Sequence, residues 1–149
     1  MNRALVLVPL AVVGAAAAVA FAQAPDNAYQ NLLTPVLASG ETILGQPIAY
    51  PEGTPLVTAA IVTIPPGGET GWHTHSVPLF AYILEGALTV DYGSEGTRVY
   101  AAGGGVLEAM DWAHNGTNRG DAPVRLLAVY MGVEGTANAD PATTPGGER

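Results

Sequence analysis

Between residues 42 and 131 the sequence is cut into short apolar or alternating runs, near 42–50, 56–64, 71–75, 79–84, 86–92, 97–101, 105–109, 112–117 and 123–131. Gly, Pro, Asn or Asp, the residues that turn a chain, bound each of them. No gap between runs has room for an amphipathic crossover helix, which excludes a βαβ fold. Eight or nine strands in roughly 90 residues point instead to an all-β sandwich, barrel or jelly roll spanning about 41–134. The 48% hydrophobic content is enough to give such strands a core and rules out a disordered polymer.

The flanks read differently. Residues 1–22 have the form of a secretory signal peptide, with Arg3 ahead of an apolar stretch from Ala4 to Ala20 and the small-residue pattern Ala20-Phe21-Ala22 before Gln23. The same pattern recurs at Ala22-Gln23-Ala24, but the Pro that follows would restrict the backbone a peptidase must hold extended. The other reading is an uncleaved anchor, although an apolar run of about 17 residues is at the lower limit for a membrane span. Export would place the protein in the periplasm or outside the cell. Residues 23–40 read as an N-terminal arm, in which Pro35 limits Leu32, Leu33, Val36 and Leu37 to about one helical turn. Residues 135–149 are almost free of apolar side chains and read as a disordered tail.

Charge and cysteine content narrow the chemistry. Five Arg, no Lys and thirteen acidic residues leave a net charge of −8, which offers no basic surface to nucleic acid or to anionic lipid. Without cysteine there are no disulfides, thiolate nucleophiles or thiolate metal sites, so any ion must be held by nitrogen or oxygen. The three histidines are His73 and His75, in Trp-His-Thr-His, and His114 about forty residues further on. Side chains alternate across a strand, so His73 and His75 project from one face, close enough to converge on one ion. Three imidazoles are a recurrent way to bind a divalent metal while leaving open positions, and the same rings could equally be ordinary hydrogen-bonded side chains.

From Gly67 through Asn118 the sequence resembles the cupin superfamily. Gly67, His73 and His75 match the opening of that family's first motif, and Gly86 in Tyr-Ile-Leu-Glu-Gly matches its close. Gly103, His114 and Asn118 match the second motif, with Ala109 in place of its proline and Asp111 in place of its second glycine. The resemblance implies a small double-stranded β-helix, the jelly-roll cupin barrel, and a metal ion held by His73, His75 and His114. Such barrels often pair through edge strands, which implies a homodimer. It also exposes a departure: where the family carries a metal-binding glutamate, this chain has Leu79. Three neutral imidazoles without an anion suit zinc, ferrous iron, copper or nickel better than a hard oxygen-preferring ion.

Two acidic residues near His114 are candidates to replace the missing carboxylate. Asp111 either joins the site or makes the turn the absent glycine would have made. Glu108, in Val-Leu-Glu-Ala-Met, is costly to bury unless paired, and is the candidate fourth ligand or catalytic base. Arg98 and Arg125 lie within expected strands and either anchor a substrate carboxylate or form surface ion pairs. Aromatic residues near the histidines, Trp72, Tyr82, Trp112 and Tyr130 among them, serve a small-molecule pocket or simply the core. Asn118 is expected to serve the fold through backbone hydrogen bonds. Because three-histidine iron cupins include dioxygenases, the resemblance implies oxygen-dependent cleavage of a small organic molecule; the alternative is a non-catalytic binding or sensory module.

Overall fold

The computed structural model describes residues 29–144, so the expected signal peptide at 1–22 and the end of the expected tail, 145–149, lie outside the described residues. The chain divides into two units, Met1–Thr34 and Pro35–Arg149. The described part of the first holds a 3-10 turn at Gln30–Leu32, in which the Leu32 N–H donates to the Tyr29 carbonyl at 3.0 Å.

In the second unit, alternation decides where the core lies. Along β8 (Val124–Val133) the side chains of Val124, Leu126 and Ala128 are buried and those between them partly exposed. Along β3 (Leu79–Glu85) the buried set is Leu79, Ala81 and Ile83. The two strands pair antiparallel with Ala81 opposite Ala128 and Ile83 opposite Leu126, so their inward residues share one face. β1 (Pro55–Ile64) flanks β8 and β6 (Gly105–Leu107) flanks β3, giving a four-stranded sheet in the order β1-β8-β3-β6.

A second sheet runs β5-β4-β7, from β5 (Thr97–Ala101), β4 (Ala87–Asp91) and β7 (Asn115–Asn118). Ile83, Val106, Val124 and Leu126 of the first sheet meet Leu88, Val90 and Tyr92 of the second strand group in a single core. A ribbon of β2 (His73–Thr74) and β9 (Asp140–Pro141) stands apart from both. This is the expected all-β jelly roll. At the hairpin between β3 and β4, Gly86 has φ 79°, and a Cβ there would lie 3.1 Å from the Pro123 carbonyl oxygen, so a side chain at this position would be both strained and crowded.

Three expectations need correction. The run at 42–50 is not a strand. Its backbone turns back through a Glu41–Pro47 bridge, with Gly45 at φ 75° and the Thr42 hydroxyl bonded to the Gln46 side chain at 2.9 Å, and its link to β6 is the Ile43 N–H donating to the Leu107 carbonyl at 2.8 Å, which does not extend into a ladder. The strand expected at 112–117 begins only at Asn115, because Asp111 turns the chain ahead of it at φ 50°. The stretch from 135, expected as a disordered tail, is ordered through its described residues and supplies β9, which pairs with β2 through backbone groups that need no apolar side chain.

Asn118 fills the structural role expected of it. It is 1% exposed, its Nδ2 donates to the Ile64 and Ala122 carbonyls at 2.9 and 2.8 Å, and its Oδ1 accepts from the Gly120 N–H at 2.9 Å. Asn118→Ala strands the buried Ile64 carbonyl and returns the exposed Ala122 carbonyl and Gly120 N–H to water, and is expected to cost about 1–3 kcal/mol of stability by urea unfolding. A change below about 0.5 kcal/mol would contradict this role.

Candidate metal centre

His73 and His114 face each other across an isolated antiparallel bridge. The His73 N–H donates to the His114 carbonyl and the His114 N–H to the His73 carbonyl, both at 3.0 Å. Residues that exchange both bonds are directly opposite, with side chains on the same face. The period-2 alternation that places His73 carries His75 to that face as well, and the Asp111 N–H on the His75 carbonyl at 2.8 Å fixes its backbone. The ring centroids lie 4.8 Å apart for His73–His75, 4.5 Å for His73–His114 and 5.1 Å for His75–His114.

Hydrogen bonding sets the tautomer of all three rings. Nδ1 of His73 meets the Gly71 carbonyl at 2.8 Å, Nδ1 of His75 the Asn138 carbonyl at 2.7 Å, and Nδ1 of His114 the Trp112 carbonyl at 2.8 Å. A carbonyl only accepts, so each Nδ1 carries the proton and each Nε2 keeps its lone pair. Backbone carbonyls on the outer nitrogens are the support that metal-bound histidines use. One donor atom from each ring lies within 4.8 Å of the others, while nitrogens bound at about 2.0–2.1 Å to a tetrahedral ion would be roughly 3.4 Å apart, a difference small ring rotations close. The residues therefore fit a divalent metal. Burial pushes the pKa values of His75 and His114 down to about 4, so both rings are neutral and free to ligate at physiological pH.

Glu108 lies beside this cluster, with Oε2 3.9 Å from His114 Nε2, beyond hydrogen-bond distance. Its N–H donates to the Leu79 carbonyl at 2.9 Å, so Glu108 lies directly after β6 and beside Leu79 of β3. Burial raises its pKa, and the Ala109 N–H, the neighbouring Tyr92 hydroxyl, His73 and Arg98 oppose that rise. The Ala109 N–H donates to Glu108 Oε1 at 2.8 Å.

The other candidates fall outside the cluster. Asp111 is exposed and makes the turn. Arg125 pairs with Glu85 at 2.6 Å on the surface. Arg98 takes neither expected role: it donates to the Ile43 carbonyl at 2.7 Å and lies over the Tyr92 ring at 5.4 Å. Sequence reasoning missed Tyr92, which is fully buried 5.7 Å from the His114 ring and whose hydroxyl is 3.0 Å from that of Tyr100. The signal was there in the inward alternation Leu88, Val90, Tyr92.

The lowered histidines give a sign to the pH dependence of the metal-free protein. An unfolded chain protonates these rings near 6.5 and the folded one near 4, so between those values the unfolded state binds more protons. Stability is then fully present above about pH 6.5 and falls with acidification through the window, by up to about 1.4 kcal/mol per pH unit for each ring. Glu108, raised instead of lowered, moderates the loss. Urea unfolding is expected to show midpoints falling from pH 7 to pH 4.5, and a midpoint constant or rising over that range would contradict this.

Residues 60–130 match the sequence profile of the Cupin domain family. No curated protein matches the chain. Among solved structures, oxalate decarboxylase from Lactobacillus farciminis, in a formate complex, is 26% identical with a TM-score of 0.50, over 57% of this chain and 26% of that one. The matched part thus spans about a quarter of the decarboxylase. A polyketide cyclase from Streptomyces resistomycificus is 18% identical with a TM-score of 0.51, over 60% of this chain and 63% of that one. A structure from a study of DMSP lyases is 15% identical with a TM-score of 0.51, over 58% and 44%. These last two likenesses concern the fold. Together with the two-sheet jelly roll, the profile match over residues 60–130, just under half of the chain, supports a cupin fold.

Proposed function

We propose that this chain is an exported cupin that binds one divalent metal ion through His73, His75 and His114 and acts on a small organic molecule. The observation that carries the reading is the convergence of three imidazoles whose Nδ1 protons are all committed to carbonyls. The metal would be zinc, ferrous iron, copper or nickel, as three nitrogen donors favour. Its chemistry when bound is to orient and polarise a chelating substrate, and, if redox-active, to support oxygen-dependent cleavage.

The protein's own residues supply the rest. His73 is the ring that opens on solvent, lining a cleft of about 410 Å³ with Trp72 and Asp140. A substrate would enter from that side, since His75 and His114 are only 2% and 3% exposed. Glu108 serves as proton acceptor: its burial raises the affinity of the carboxyl for a proton while Ala109 N–H holds one oxygen in place. The leader-like residues 1–22 support a periplasmic or secreted location. The edge position of β1, with Leu56, Val57 and Ile61 exposed, supports a homodimer.

A second reading, a non-catalytic module that senses or stores a metal or small ligand, is favoured by that same burial, because closed sites are characteristic of structural metals. Turnover separates the two. Natively exported protein is expected to carry one metal per chain by elemental analysis, and His73→Ala to abolish the heat of metal binding. With catechols, flavonols, diketones or small thiols, oxygen uptake that disappears in His114→Ala supports the enzyme, whereas stoichiometric metal without uptake supports the module. No retained metal and no binding heat would defeat both.

A further inference from the structure

Two of the three rings carry their own support. His73 and His114 each donate Nδ1–H to the carbonyl two residues earlier in the chain, that of Gly71 and of Trp112. His75 instead donates to Asn138, 63 residues away. Asn138 belongs to a stretch held almost entirely by backbone hydrogen bonds. The Thr136 N–H donates to the Val133 carbonyl at 3.2 Å, the Ala142 N–H donates to the Trp72 carbonyl at 3.0 Å, and between them His73 pairs with Pro141 and Thr74 with Asp140. Residues 136–142 include no fully buried side chain, so hydrophobic packing does not fix them. The same stretch brings Ala139, Asp140 and Pro141 into the wall of the cleft beside His73.

Resting on the reading of the histidines as metal ligands, we propose that residues 136–142 are a positioning clasp that completes the metal centre. The clasp holds His75 in the Nδ1–H tautomer and turns its Nε2 toward the other two rings. Without the Asn138 carbonyl, no other hydrogen bond among the described residues holds that imidazole: only ring packing orients it, and its proton is free to move to Nε2, the nitrogen a metal needs unprotonated. Three prearranged nitrogens then become two and a third held less firmly. Removing such an outer hydrogen-bond partner typically weakens metal binding by about 10–100-fold.

The test compares the full chain with a variant ending at Glu134 and with Ala142→Pro, which keeps the clasp but removes the N–H that bonds Trp72. Zinc affinity is read by competition titration, and the histidine tautomers of the metal-free proteins by long-range nitrogen–proton NMR. The shortened variant is expected to bind zinc about 10–100-fold more weakly and to lose the Nδ1–H signature of His75 alone, with Ala142→Pro shifted the same way by less. Equal zinc affinity and an unchanged His75 signature in the variants would overturn the clasp. Should the shortened variant fail to fold, Ala142→Pro decides by the same two readouts. If the full chain does not bind zinc, the metal reading falls separately, and the tautomer of His75 still decides whether the segment holds that ring.

Discussion

A reciprocal pair of backbone hydrogen bonds ties His73 to His114, and the convergence of the three rings on one face starts from it. The exchange forces two residues from distant parts of the chain onto one face in register, and alternation along the strand adds His75. The bonds set this geometry without stabilising it much, since each nets about 0.5–1.5 kcal/mol. Burying side chains such as Ile83, Val90, Val124 and Leu126 stabilises the fold more, by roughly 1.5–3 kcal/mol apiece. The sandwich supplies stability and the bridge supplies position.

Electrostatics in the site is governed by dehydration. Both His75 and His114 owe their lowered pKa first to burial, and Glu108 owes its raised pKa to the same cause. All three shifts favour the uncharged group. For the rings this is the ligating form. The carboxyl beside them is drawn back toward the charged form by Ala109, Tyr92, His73 and Arg98, so its neighbours set how far the rise goes. The Arg125–Glu85 pair, although shorter than any contact in the site, is exposed on both sides and contributes about 0–1 kcal/mol.

What could be read from the sequence was what side chains write into it. Alternation and turn residues placed β3, β4, β5 and β8 closely, the His-Thr-His spacing put two rings on one face, and Asn118 stood out as a side chain that bonds backbone. Asp111 at φ 50° shows an aspartate making the turn that a missing glycine would have made. Apart from Tyr92, the features that escaped are those in which backbone groups do the bonding. The apolar run at 42–50 looks like a strand, yet the Thr42 and Gly45 N–H groups close a local turn. The polar stretch from 135 gives no pattern because it is held by main-chain bonds and contributes a carbonyl, at Asn138, which any residue possesses. That Glu108 would lie beside Leu79 depends on the pairing of β6 with β3, which only the folded register reveals.

Whether three Nε2 atoms share one ion is measured most directly by anomalous scattering from zinc-soaked crystals. A single strong peak is expected about 2.0–2.1 Å from Nε2 of His73, His75 and His114 together. A peak bound through Nδ1 of any of these rings, or one that engages His73 at the cleft and leaves His75 and His114 uncoordinated, would contradict the shared site.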